Sequence, residues 1–313
     1  MLRMIGRRIL VSVPLLLVVS VIVFWLQALI PGDAALQIGG LEATPAQTAQ
    51  LRLRLGLDQP LWAQYWHWLD QAVHGSLGTS LINQQNVTGE LNGRLPVTLS
   101  LVVGATLVAT VIGVLLGIAS SMGWPVIGRV VDVISIGGLA VPSFWLGLLL
   151  ISLFSVQLGW LPSTGYVSFA NSPSDWLESL VLPVAALGLA GVTVIAKQTR
   201  EAMLDVLQRD FIRNLRANGI PERSIIFRHA LRSAAIPVVT ISGLVFVGAL
   251  GGSVVIENVF GLPGLGSLAV TATSSKDIPI ILGVAMYFTL LVIAVNLLTD
   301  IAYRLINAKV RHS

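Results

Sequence analysis

Long apolar runs, interrupted by short charged stretches, dominate the chain. Six gaps between charged residues stand out: Arg8 to Asp33, Arg94 to Arg129, Asp132 to Asp175, Glu178 to Lys197, Arg232 to Glu257 and Asp277 to Asp300. A run of roughly 20 apolar residues is long enough to cross a bilayer core as a helix. Polar residues do not recur at every second position inside these gaps, as they would in the strands of a membrane barrel. Each gap therefore predicts a helix. Gly159, Pro162 and Gly165 break the second half of the long third gap. The pattern predicts six spans, near 9–30, 98–121, 133–157, 180–199, 234–256 and 279–303. Arg7 and Arg8 give the first the look of a signal peptide. Its apolar stretch is about twice a usual signal-peptide core and no small-x-small cleavage site follows, so it is read as a retained span.

The segment between the first two spans, 31–95, is long enough to fold locally. Thr44, Pro45 and Gln47 read as an N-cap, a proline in the first turn and a capping-box partner. That helix should run to about Leu55 and stop at Gly56. A second helix is expected over Leu61–Val73, with Trp62, Trp66 and Leu69 on one face, followed by a turn from Gly75 to Ser80. The aromatic cluster at 62–68 reads either as an interfacial anchor or as a docking surface for a partner outside the membrane.

Composition agrees with the pattern. Hydrophobic residues make up 55% of the 313 and charged residues 11%, against about a quarter charged in soluble domains. A soluble fold could not cover that apolar surface, and a disordered chain would leave it wet. The fold class is all-α integral membrane protein. Cysteine is absent, which excludes disulfides, thiolate metal sites and cysteine nucleophiles.

The net charge of +4 is small, so placement matters more. With the N-terminus in the cytoplasm, fifteen of the nineteen Lys and Arg residues fall on that side. Only Arg52, Arg54, Arg94 and Lys276 fall on the other. The positive-inside rule then puts both termini in the cytoplasm, and 31–95, 158–178 and 257–278 outside. The inner loop 197–233 carries eight of the basic residues. Glu201, Asp205, Arg209 and Arg213 follow at four-residue steps and are expected on one helix face. Gly219 and Pro221 should end that helix and let another begin at once, leading into the fifth span. Such an element reads either as a solvated basic loop or as an ordered protein-docking device.

No catalytic motif is present. Lys197, Lys276 and Lys309 are the lysines, and none follows a glycine, so there is no P-loop. His67, His74, His229 and His312 are scattered and form no metal-binding pair. Gly251-Gly252-Ser253-Val254-Val255 lacks the second glycine of a nucleophile elbow. The span interiors carry almost no ionisable residue, which argues against proton coupling. No catalytic, cofactor or metal site is therefore assigned. Gly113-xxx-Gly117 and Gly248-xxx-Gly252 match the small-xxx-small pattern of close helix packing, but 30 glycines make such matches easy. Gln27, Thr98, Ser143, Thr193, Ser242 and Asn296 are polar span residues that could line a path or serve helix packing.

Arg200 to Pro237, with Arg213-Asn214-Leu215-Arg216-Ala217-Asn218-Gly219 at its centre, resembles the inner loop of binding-protein-dependent ATP-binding-cassette importer permeases. Within them it is most similar to the dipeptide/oligopeptide branch. Four more stretches agree: Phe24 to Asp33, ending Ile30-Pro31-Gly32-Asp33; Leu55 to Leu61; Val141 to Gly147; and Glu257 to Gly266. The first two look like the B-type subunit, which has the longer first outer loop. The likeness runs nearly end to end.

The resemblance implies a type I importer permease fold with six transmembrane helices and a small extracytoplasmic helical segment between the first two. It divides the chain into 1–94, a five-helix domain 95–304 with the coupling loop 197–233, and a tail 305–313. It implies a prokaryotic plasma-membrane protein that forms half of a translocation path for di- or oligopeptides. A C-type permease, two ATPase subunits and an extracytoplasmic binding protein would complete the complex, with membrane lipid around it and no nucleic acid. ATP hydrolysis belongs to the ATPases. Arg213, Asn214, Leu215, Arg216, Ala217, Asn218 and Gly219 correspond to the ATPase-docking residues. Gly219 would permit the turn, Arg213 and Arg216 would offer charge, and Leu215 and Ala217 apolar contact. Asn214, Leu215 and Asn218 depart from the branch's usual residues, and Ser76 stands where an acidic residue is common. The substrate-binding residues are not identified, and the alternative reading is a passive channel or secondary carrier acting without an ATPase.

Overall fold

The computed structural model describes residues 2–29, 34–39, 44–122 and 141–306. They are almost wholly helical: α1 (Leu2–Leu29), α2 (Ala34–Gly39), α3 (Pro45–Leu55), α4 (Leu61–Val73), α5 (Val87–Ser121) and α6 (Ser143–Leu150) come first. Then follow α7 (Pro173–Leu207), α8 (Asp210–Ala217), α9 (Leu231–Val259), α10 (Leu265–Ser275) and α11 (Ile278–Ile306). α6 continues as a π-helix over Ile151–Gln157. A single turn, Glu222–Ser224, and a π-helix over Ile225–Ala230 lead into α9.

Five helical stretches are long and apolar enough to cross a membrane: Gly6–Leu29, Val87–Ser121, Pro173–Leu207, Glu222–Val259 and Ile278–Ile306. They contain five of the six expected spans. The expected third span begins among residues outside the described set, as do Arg129, Ile30 to Asp33 and the end of the tail. Its described part, Ser143–Gln157, is apolar but shorter than the other five. Pro142 sits at the N-cap of α6, whereas Pro14, Pro96, Pro183 and Pro237 lie inside helices.

Contacts divide the chain into two compact units, one of residues 1–98 with 263–293 and one of 99–262 with 294–313. In the first unit the local signals fold as read. Thr44 and Gln47 form a complete capping box on α3, and Gly56 closes it at φ 67°. The Ser76 hydroxyl accepts the Gly78 N–H in the turn that follows α4. Tyr65 of α4 stacks edge-on against Phe24 of α1, 5.4 Å between ring centres, and its hydroxyl lies 2.9 Å from that of Ser20. Trp68 and Leu282 join this cluster, while Trp62 and Trp66 stay exposed. The buried carboxylate of Asp277 accepts the Ser80 hydroxyl and the Leu81 N–H, tying the 76–86 turn to the start of α11. Ser80 in turn accepts the N–H groups of Ile82 and Asn83.

In the second unit, glycine sets how closely the helices approach. A Cβ on Gly113 would meet the Ile195 Cβ at 2.8 Å. On Gly117 it would meet the Thr199 Cβ at 2.5 Å and the Ala196 carbonyl oxygen at 2.7 Å. The Gly113-xxx-Gly117 match is thus a true α5–α7 contact. Its counterpart is half true: Gly252 abuts the Leu187 Cδ1, but nothing lies within 4 Å of a Cβ on Gly248. Two of the family-like stretches meet here as well, with Gly147 against the ring of buried Phe260.

Candidate functional site

The best-built element outside the spans is the segment that follows α7. Met203 and Val206 in the last turns of α7 are buried, as are Ile225, Ile226 and Ala230 in the lead-in to α9. Between them lies α8, eight residues long and fastened by Ile212, which has no exposed surface. An isolated helix this short is not stable in water. Its order comes from Ile212 entering that cluster and from the turns at either end.

The turns are specified locally. Arg209 is extended, at φ −71° and ψ 148°, and Asp210 stands in the first turn of α8 where a negative charge is favourable. α7 therefore ends at Leu207, and the single helix face expected from Glu201 to Arg213 does not form. The Asp205–Arg209 pair survives across the break at 2.6 Å, but Arg213 pairs with Asp210 instead, at 3.5 Å. At the far end Gly219 takes φ 74°, a left-handed conformation that disfavours a side chain. Pro221 then precedes the turn Glu222–Ser224.

The seven expected docking residues do not all face outward. Arg213, Asn214, Arg216, Ala217, Asn218 and Gly219 are exposed, whereas Leu215 is half-buried against the cluster around Ile212. The free apolar surface belongs instead to Phe211, 40% exposed. Sequence reasoning missed Phe211 because its partner Ile212 looks equally available. Arg216 is already engaged: Nη2 and Nε donate to the two Glu222 oxygens at 2.6 and 3.2 Å, closing the turn across Gly219. That hydrogen bond is the main cause of the raised Arg216 pKa. Asn218 caps α8, its Nδ2 donating to the Asn214 carbonyl at 2.9 Å. The departures at Asn218 and Leu215 thus both serve the segment's own structure.

The polar span residues divide. Thr98 accepts the Leu265 N–H, Thr193 donates to the Ala190 carbonyl, and Ser242 donates to the Val238 carbonyl and takes a bond from Thr110. These serve packing. Ser143 instead lines a cavity of about 390 Å3 in the second unit, with Thr106, Gly188, Gly191, Gly248 and Gly252. Among the described residues no three His, Asp or Glu side chains come together as a metal site would require.

Beyond its apolar spans the chain thus carries an ordered, charged helix. The family of binding-protein-dependent transport system inner membrane components matches residues 109–312, and the N-terminal model of the same proteins matches 1–102. The chain belongs to this family and is a multi-pass inner-membrane permease component of an ABC transport system. A peptide transport system permease protein of Brucella abortus is 40% identical over 315 residues, covering 100% of both chains. The glutathione transport system permease protein GsiC of Pectobacterium atrosepticum is 41% identical over 309 residues, covering 98% of each. Among solved structures, the inward-facing MetNI methionine ABC transporter superposes on 70% of this chain and 97% of its own, with a TM-score of 0.54 at 17% identity. That likeness gives the type I permease fold.

Proposed function

We propose that the chain is the B-type permease subunit of an ATP-driven importer of di- or oligopeptides, with six spans, both termini in the cytoplasm and half of the translocation path. The observation that carries this reading is α8, a short helix fixed by Ile212 between two membrane helices and presenting Phe211 and Arg213 outward. A solvated basic loop has no need of a buried cluster of its own. In this reading Phe211 and Arg213 enter a groove of an ATPase subunit, and Arg216 with Glu222 keeps the turn rigid. Closure of the ATPases favours one arrangement of the spans over the other, which is alternating access by population shift. The cavity with Thr106 and Ser143 supplies this chain's wall of the path. Relatives named for peptide and for glutathione, itself a tripeptide, support a small peptide as cargo. A C-type permease, two ATPases and an extracytoplasmic binding protein complete the assembly.

The test is affinity isolation of the tagged protein from its own membrane in mild detergent, read by mass spectrometry. A second permease-like chain and P-loop ATPases are expected. Phe211→Glu with Arg213→Glu should lose the ATPases and keep the second permease. Recovery of the chain alone across several detergents would transfer the function to a channel or carrier. ATPases retained at wild-type level by the double variant would remove α8 from the docking role.

A further inference from the structure

The first unit holds a cavity of its own. Its volume is about 400 Å3, within the usual range for a small-molecule site. Its lining is two-sided. Arg54, His67 and Gln71 come from the segment between the first two spans, and Phe24 and Leu282 come from the spans themselves. Trp68 joins the apolar side. No carboxylate lines the cavity, and Arg54 has no ion-pair partner among the described residues. The indole N–H of Trp68, in a side chain 7% exposed, also lacks an acceptor among them. A desolvated donor without an acceptor is costly, so the buried Trp68 indole, with the exposed Arg54 guanidinium lining the same cavity, points to an oxygen-rich anionic ligand.

Depth decides which anion. Phe24 lies five residues before the end of α1 and Leu282 four after the start of α11. At 1.5 Å per residue both stand about 6–8 Å inside the ends of apolar helices, where hydrocarbon gives way to headgroups. α4 exposes Trp62 (62%) and Trp66 (61%) on one face, the residue type that collects at that boundary. A soluble anion has no use for a floor of Phe24 and Leu282, whereas an acyl chain does. We propose that this cavity binds one anionic phospholipid, its phosphate at Arg54 and the start of its acyl chain against Phe24, Trp68 and Leu282.

The protein is exchanged into vesicles of phosphatidylglycerol and phosphatidylcholine, extracted in mild detergent, and its retained lipid measured by native mass spectrometry. Preferential retention of phosphatidylglycerol is expected. Arg54→Gln should lower it about tenfold, the scale of one charge-assisted hydrogen bond. Arg52→Gln, on the same helix but outside the lining, should leave it unchanged. Leu282→Trp, which fills the apolar end and spares Arg54, should lower retention of both lipids. Equal retention of the two lipids by wild type and Arg54→Gln overturns the proposal. Displacement of phosphatidylglycerol by millimolar glycerol phosphate overturns it too, by showing that a soluble anion suffices.

Discussion

The α5–α7 contact yields the sharpest quantitative expectation. Gly117→Ala places a methyl group 2.5 Å from the Thr199 Cβ and 2.7 Å from the Ala196 carbonyl oxygen. Ordinary contact begins at 3.4 Å, so one helix must retreat by nearly an ångström. Neither obstacle is the end of a flexible side chain. Overpacking of this kind costs about 1–3 kcal/mol. Alanine returns up to about 1 kcal/mol through helix propensity, so a net loss remains. Gly248→Ala meets nothing within 4 Å and keeps only the gain. Gly252→Ala meets the mobile tip of Leu187 and should fall between. Denaturant or thermal unfolding of the three variants in one detergent orders them: Gly248→Ala at or above wild type, then Gly252→Ala, then Gly117→Ala. If Gly117→Ala were as stable as Gly248→Ala, close approach through glycine would not hold these helices together.

Two other expectations concern the polar ties. Asp277→Ala leaves the buried Ser80 hydroxyl and the Leu81 N–H without their carboxylate, a loss of about 3 kcal/mol. It should open the 76–86 turn to limited proteolysis while transport-complex assembly persists. At the docking segment, Arg216→Glu and Glu222→Arg each put like charges across Gly219, and the double swap restores an opposite pair. ATPase co-purification should fall in each single variant and recover in the double. Failure to recover would mean that Arg216 acts on a partner and not on Glu222.

Legibility in the sequence followed the range of the interaction. The capping box at Thr44, the stop at Gly56, the second helix at Leu61–Val73 and the turn at Gly219 were all readable, because each is a bargain among neighbouring residues. Apolar runs gave five spans because length and hydropathy suffice for that. The end of α7 at Leu207 was missed, although Asp210 offered a helix-start signal, since the four-residue charge ladder running through it suggested one longer helix. No local pattern says that Leu215 turns inward while Phe211 stays free. That depends on where Met203 and Ile225 arrive, which is a tertiary matter. The Asp277 tie joins residues 196 apart and left no trace in the pattern. The π-helices at Ile151–Gln157 and Ile225–Ala230 have no composition of their own.

The length of α7 has a mechanical consequence. Its 35 residues span about 52 Å, well beyond the roughly 30 Å of a hydrocarbon core. Near its middle it is gripped: Gly188 lies against the Ala105 backbone and Gly191 against Val245 and Ala109. With Ile195 and Thr199 against Gly113 and Gly117, the grip runs from Gly188 to Thr199 and leaves one arm on either side. From Thr199 to Val206, beside α8, is about 10 Å, and from Gly188 back to Pro173 about 22 Å. Pro183 sits on the longer arm, where its missing hydrogen bond makes the rod compliant. The short arm beside α8 is thus the stiffer of the two, and the long arm the more yielding.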